Sequence, residues 1–416
     1  VTSPDSPQRL RARRLDEADP LAAFRDDFAL PPGTIYLDGN SLGALPKATG
    51  PRLADLVARE WGVDLIRSWN TNHWIEAPAR VGGKIAGLIG ARPHEVVVAD
   101  STSVNLFKLL AGAASMRPQR RVILTEPGNF PTDLYMMQGL ERLMGDRLEV
   151  RTAPADRLAD LIDEDVIAVA LTHVHYKSGR RWPMAEITAR AHAAGALMLW
   201  DLSHSAGAIG VDLNGAGADL AVGCGYKYLN GGPGAPAFLF VAERHQSVIT
   251  SPLTGWMGHA EPFAFVDDFA PAPDIRRQLC GTPPILGLAA LEVGVDIAAR
   301  TPMATVEAKS AALCDLFIET VEAGGAGLGL ELASPRAAAE RGSHVSFAHS
   351  EAYGLVQALI ARGVVGDFRA PDIARFGFTP LYLRHVDVVD AAEALLSVLR
   401  EGAHAHERYQ SRLAVT

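Results

Sequence analysis

The chain has 416 residues, 48% of them hydrophobic and 21% charged, with a formal net charge of −9. That length allows two or three domains with ample core, and a mixed, slightly acidic charge excludes the basic footprint of a nucleic-acid binder. Three scattered cysteines, Cys224, Cys280 and Cys314, give neither a disulfide framework nor a Cys-x-x-Cys zinc site and fit a reducing cytoplasm.

The first thirty residues are polar and read as an arm, with Arg9 to Arg14 forming a solvated helix face. No apolar leader is visible, and no apolar run approaches the ~20 residues of a membrane span. The run Tyr36-Leu37-Asp38-Gly39-Asn40 reads as a short extended element entering a turn. Amphipathic helices are expected over 47–63 and 76–89. Seven β-rich runs follow, at 96–99, 122–125, 148–151, 166–172, 197–201, 220–223 and 238–241. Helical periodicity fills most gaps, at 103–114, 133–143 and 184–194. This alternation predicts an α/β fold with a mostly parallel seven-stranded sheet between helices. After Thr282-Pro283-Pro284 the texture changes. One long helical stretch, 285–324, leads into a small α+β domain with strands near 329–332, 345–348 and 364–368 and a closing helix over 386–400. The tail after Gly402 reads as loose. The expected divisions are 1–50 (arm and small-domain segment), 51–284 (large domain) and 285–416 (small C-terminal domain).

The chain carries six lysines against thirty-three arginines, so a plain cation is usually Arg. Lys227, in Cys224-Gly225-Tyr226-Lys227-Tyr228-Leu229, stands between an apolar run and a glycine-rich turn, a setting that favours a neutral amine. Lysine alone can lose its proton and form a Schiff base. Asp201 ends the run 197–201, where open α/β sheets place ligands. A lysine this far after a strand-end acid points to pyridoxal phosphate (PLP). The acid would keep the pyridine nitrogen protonated; at an effective dielectric of ~20, an ion pair at ~4 Å is worth about 4 kcal/mol. The same Asp could simply N-cap the next helix.

The remaining parts of such a site have candidates as well. Thr102 and Ser103 open a helix whose N–H groups suit a phosphate. Phe130 could lie over a flat ring. Arg375, in the least polar surroundings of the small-domain arginines, could clamp a substrate carboxylate through its fork. His173 and His175 alternate at a strand end, and His404 and His406 sit in the tail, but no third ligand accompanies either pair, so no metal is expected.

Seven blocks resemble kynureninase. They are Y-L-D-G-N-S-L-G from Tyr36, S-V-N-L from Ser103, N-F-P-T-D from Asn129, D-L-S-H-S-A-G from Asp201, C-G-Y-K-Y-L-N-G-G-P-G from Cys224, G-W-M-G-H from Gly255 and G-T-P-P from Gly281. The resemblance covers most of the chain and implies fold type I of the PLP enzymes. It also implies hydrolytic Cβ–Cγ cleavage of L-kynurenine to anthranilate and L-alanine, in tryptophan breakdown or nicotinamide-cofactor biosynthesis. Lys227 would hold PLP and Asp201 would pair with its ring nitrogen. Thr102, Ser103, His204 and Tyr226 would serve the phosphate, and Phe130, Asp133 and Thr172 would surround the ring. Trp256 and Thr282 would reach the site of the other subunit of a homodimer. Arg375, with Trp69, Thr282 and His259, would contact substrate. Lys227 and Tyr226 would act in proton transfer, with Tyr226 or His259 as oxyanion donor. Trp69 and Thr282 replace a His and an Asn of animal members, which implies a preference for kynurenine over 3-hydroxykynurenine. A cysteine desulfurase is the nearest rival, but that family places His before its lysine, where this chain has Tyr226.

Overall fold

A computed structural model describes residues 6–412. Thirteen strands are described: β1 (Ile35–Tyr36), β2 (Val96–Val98), β3 (Val122–Thr125), β4 (Glu149–Thr152), β5 (Val166–Thr172), β6 (Leu197–Asp201), β7 (Leu220–Gly223), β8 (Phe238–Val241), β9 (Glu331–Leu332), β10 (His344–Ala348), β11 (Val364–Val365), β12 (Asp367–Arg369) and β13 (Ile373–Gly377). Seven of them form one sheet in the order β2-β8-β7-β6-β5-β3-β4. Only β8 runs against its neighbours, pairing antiparallel with β2 and β7. The other pairings are parallel.

Continuous apolar runs make these strands because both sheet faces are buried. Along β6, Met198 and Trp200 enter one core cluster while Leu197 and Leu199 enter another. Helices Ala77–Leu88, Met184–Ala193 and Ile285–Ala298 cover the first face; Thr102–Met116 and Pro131–Met144 cover the second. The carboxyl ends of β5, β6 and β7 therefore open on one edge of the layered domain, carrying Thr172, Asp201 and Gly223.

A separate core joins the two ends of the chain. Ala12, Leu21, Phe28 and Leu37 pack with Phe317, Phe347, Phe376, Phe378 and Leu395. The four-stranded sheet beside it runs β12-β13-β10-β9, and β1 pairs parallel with β11. Helix Pro7–Glu17 docks through buried Ala12 and through Arg9, which pairs with Asp390 and Glu393, while Arg11, Arg13 and Arg14 form the exposed face that was expected. The tail is not loose within the described residues. His404 Nε2 lies 3.2 Å from Glu351, and turns at Ala403–Ala405 and Glu407–Tyr409 pack on helix Ala352–Ile360.

Three further departures from expectation have local causes. The stretch 47–63 starts as helix Thr49–Asp55 and then winds as a π-helix, Leu56–Asp64, around Glu60, which is held by Arg52 and Trp74. The stretch 285–324 is two helices, Ile285–Ala298 and Met303–Gly324, because Pro302 has no N–H to continue the first. The run 364–368 is broken at Gly366, where a Cβ would meet the Phe376 ring at 2.8 Å and Arg375 O at 2.9 Å. Its halves join different sheets.

The N-terminal segment touches the lysine turn through Gly43. Its N–H donates to Tyr226 O at 2.8 Å, and a Cβ there would sit 2.3 Å from Lys227 O and 2.7 Å from Asn230 Cα. Gly43→Ala is expected to cost about 1–3 kcal/mol in a denaturant titration. Gly50→Ala, whose Cβ meets nothing within 4 Å, should leave stability unchanged or slightly higher.

Candidate active site

Lys227 lies in the turn after β7 and is 8% exposed. The turn is held by Asn230, which adopts φ +55 and donates from Nδ2 to Tyr228 O at 2.8 Å. Lys227 Nζ sits 3.0 Å from His204 Nε2 and less than 6 Å from the Phe130 and Tyr226 ring centroids. Phe130 stands edge-on to Tyr176, with centroids 5.2 Å apart.

Asp201 closes β6. Its Oδ1 accepts from Ser203 N at 2.8 Å and Ser203 Oγ at 2.6 Å. Asp201 therefore caps a turn and not the start of a helix, and the cap uses one oxygen only. Among the described residues Oδ2 accepts no hydrogen bond, so the cap leaves it free for a ligand. Asp133, in the first turn of Pro131–Met144, is buried beside it. Thr172 Oγ1 lies 2.5 Å from Asn129 Oδ1 and 3.2 Å from Asp133 Oδ2.

The protein alone does not hold both acids ionised. Burial pushes the Asp201 carboxyl up, and burial plus the charge of Asp201 pushes Asp133 well above the carboxylate range. Lys227 is the cation that draws both down. Two acids buried beside one ammonium can both ionise only if a further cation joins them. A protonated pyridine nitrogen meets that need. His204 is held neutral by burial and by Lys227, and its buried Nδ1 has no partner among the described residues.

Thr102 and Ser103 occupy the first two positions of helix Thr102–Met116, where backbone N–H groups lack helical acceptors. The cap itself is Ser101, whose Oγ accepts from Val104 N. The ring slot, the anion-ready helix start and the lysine thus fit PLP.

Four expected residues lie apart from this cluster. Trp69 packs edge-on against Trp74. Trp256 is 38% exposed and contacts Phe263 and Phe265. His259 lines the same pocket as Trp256, its Nε2 3.3 Å from Asp268 O. Thr282 is exposed.

Arg375, on β13, is fully buried and already engaged. Nε donates to Asp367 Oδ1 at 2.7 Å, Nη2 pairs with Asp367 Oδ2 and lies 2.9 Å from Ser41 Oγ, and Nη1 donates to Tyr176 O at 2.5 Å. Asp367 thus fills the side-on fork of the guanidinium. Asp38, Ser41, Asp367 and Arg369 gather here, and sequence reasoning singled out none of them. A faint signal existed: D-F-R and I-A-R-F-G are adjacent strands with charged residues in alternating register.

The geometry agrees with what the chain is similar to. The model of the kynureninase C-terminal domain matches residues 306–395. Kynureninase of Burkholderia mallei is 52% identical over 414 residues, 98% of this chain and 99% of its own. That of Deinococcus radiodurans is 54% identical over 392 residues, 93% and 95% of the two chains. The chain belongs to the kynureninase family. It is an enzyme of that type, and its cofactor is pyridoxal phosphate. Among solved structures, a cysteine desulfurase from Thermococcus onnurineus NA1 has a TM-score of 0.75 at 20% identity, covering 92% of this chain and 98% of its own. A C-DES mutant with glycine covalently linked to its PLP cofactor has a TM-score of 0.75 at 17% identity, covering 90% and 98%. These neighbours share the fold expected from the sequence, fold type I.

Next to Thr172, the buried ring of His173 makes one hydrogen bond among the described residues, at 2.9 Å to Ser205 Oγ. Burial brings its pKa down to about 3. The unfolded chain binds a proton there near pH 6.5, so the folded state loses stability as pH falls below that value and down toward about 3. At pH 5 the loss is about 2 kcal/mol. His173→Gln should lack that share of the pH 7 to pH 5 change in urea denaturation of the cofactor-loaded enzyme. An unchanged pH difference would refute the assignment.

Proposed function

We propose that this enzyme hydrolyses L-kynurenine to anthranilate and L-alanine. The observation that carries the reading is the buried Asp133, Asp201 and Lys227 charge set, in a chain more than 50% identical to kynureninases along almost its whole length. Lys227 would hold PLP, Asp201 would face its ring nitrogen, and His204, Thr102 and Ser103 would serve its phosphate. Bound there, PLP supplies an electron sink for charge developing at the substrate Cα.

The chain's own residues do the rest. Arg375 holds the substrate carboxylate on its end-on edge, beside Ser41. Lys227 Nζ removes the Cα proton as general base and shares later proton transfers with Tyr226. Burial pushes the Tyr226 phenol well up, so it stays protonated and can donate, which favours it over His259 as donor to the oxyanion formed when water adds to the γ-carbonyl. Phe130 and the buried walls keep bulk water from the reacting carbons.

The active unit is proposed to be a homodimer. Trp256, Thr282 and His259 then act in the partner's site, which accounts for their distance from Lys227 in their own chain. Exposed apolar residues Trp61, Val63, Leu65 and Ile66, next to Trp69, support an assembled state. The large (51–284) and small (285–416) domains would supply cofactor and carboxylate contacts respectively, with 1–50 bridging them.

Purified enzyme with PLP and L-kynurenine should release anthranilate, read by fluorescence, and one alanine per turnover. No product would refute the function. Lys227→Ala should lower kcat by about 10³-fold or more and remove the cofactor's Schiff-base absorbance. Trp69 and Thr282 stand in place of the His and Asn of animal members, so in this reading kcat/KM for 3-hydroxykynurenine should be about tenfold or more lower. Equal values would remove that specificity reading.

A further inference from the structure

The Asp38, Asp367, Arg369 and Arg375 cluster has no assigned part in the reaction beyond Arg375, yet its charge decides whether a carboxylate can bind. Asp38 follows β1, and its backbone bridges Gly377, two residues past Arg375. Its carboxyl feels the charges of both Asp367 and Arg375, and its buried Oδ1 has no hydrogen-bond partner among the described residues. A buried carboxylate oxygen without a donor is costly while ionised. A proton on Asp38 relieves that cost and the repulsion from Asp367.

Asp367 is the ionised member. Arg375 grips it on two atoms and Arg369 Nη2 lies 2.6 Å from its Oδ2; these cations hold its pKa down against burial. The other titratable groups facing Asp38 are phenols: Tyr36 on its own strand, Tyr228 on the lysine turn and Tyr382 beyond β13. Burial pushes all three up, so they stay neutral. Asp38 is the one variable charge. With Asp38 ionised, two arginines face two carboxylates and the cluster is neutral. With Asp38 protonated, it carries one positive charge, matched to one incoming carboxylate.

We propose that Asp38 is the charge-setting positioning residue of the substrate site: a carboxylate ligand binds Arg375 only with Asp38 protonated, and an ionised Asp38 takes that proton from solvent as the ligand binds. The inference rests on the reading of Arg375 as carboxylate clamp. Burial first and Asp367 second carry the Asp38 carboxyl to about 7, against Arg375, so the site titrates where the enzyme works.

The test uses holoenzyme and 3-benzoylpropanoate, which keeps an aryl ketone and a carboxylate but has no amine to react with the cofactor. Affinity should be flat below pH 6 and weaken about tenfold between pH 6 and pH 8. Calorimetry at pH 8 in two buffers of different ionisation enthalpy should show uptake of about one proton. Asp38→Asn, near-isosteric with the protonated acid, should bind with the low-pH affinity throughout and take up no proton. Comparing the two profiles removes any titration of the cofactor common to both. The proposal is overturned if Asp38→Asn keeps the wild-type pH dependence, or if wild type takes up no proton, a measurement that needs no variant. Failure of the clamp reading has a different signature: 3-benzoylpropanamide would then bind as tightly as the acid at pH 6.

Discussion

The burial of Lys227 beside two acids is the constraint on which the rest of the site depends. A lone buried ammonium would be costly, and so would either carboxylate. Packed together at the carboxyl edge of the sheet, the two acids are pushed toward their neutral forms, and both can ionise only in company that supplies one more cation. The sheet makes this arrangement possible. Thr172 and Asp201 are opposite residues of neighbouring parallel strands, and the turn after β7 swings the lysine back over them.

A second buried charge set sits in the small domain and is built on the opposite principle. Around Lys227 the acids outnumber the cation; around Arg375 the balance can turn positive. The segment from Tyr36 to Gly43 joins the two. It hydrogen-bonds the lysine turn through Gly43 and bridges β13 through Asp38. The tightness of that segment is visible in its glycines: a Cβ on Gly39 would collide with Thr379 Oγ1 and Tyr382 Oη. The Lys227 turn and the Arg375 cluster are thereby tied to each other by one short stretch of chain.

The large domain was legible because its strands are continuous apolar runs ended by polar residues, a pattern that survives without knowledge of the neighbours. Asp201 and Lys227 stood out for the same reason, as ionisable residues where an apolar run stops. The small domain was less legible. Strand β13 carries Arg375 inward, so its pattern is broken by the very residue that matters, and Gly366 splits one apparent strand into two. Asp38, Asp367 and Arg369 were not singled out. Asp367 meets Arg375 across adjacent strands, but the segment around Ser41 that completes the cluster is 334 residues from Arg375, a pairing that no local pattern encodes.

The shared fold also separates what architecture decides from what side chains decide. Cysteine desulfurases below 25% identity place the same layers in the same order, so the sheet edge and the helix start come with the fold. The residue before the lysine does not. Tyr226 is a donor that burial keeps protonated, whereas a histidine at that position would exchange protons near neutrality. A hydrolysis that must support an oxyanion gains from the former. The cysteines reinforce the distinction. Cys224 and Cys314 are buried with their thiols pushed up, which leaves them poor nucleophiles. The fold therefore sets where chemistry happens, and in the proposed roles Tyr226 and the charge of the Arg375 cluster would determine which chemistry it is.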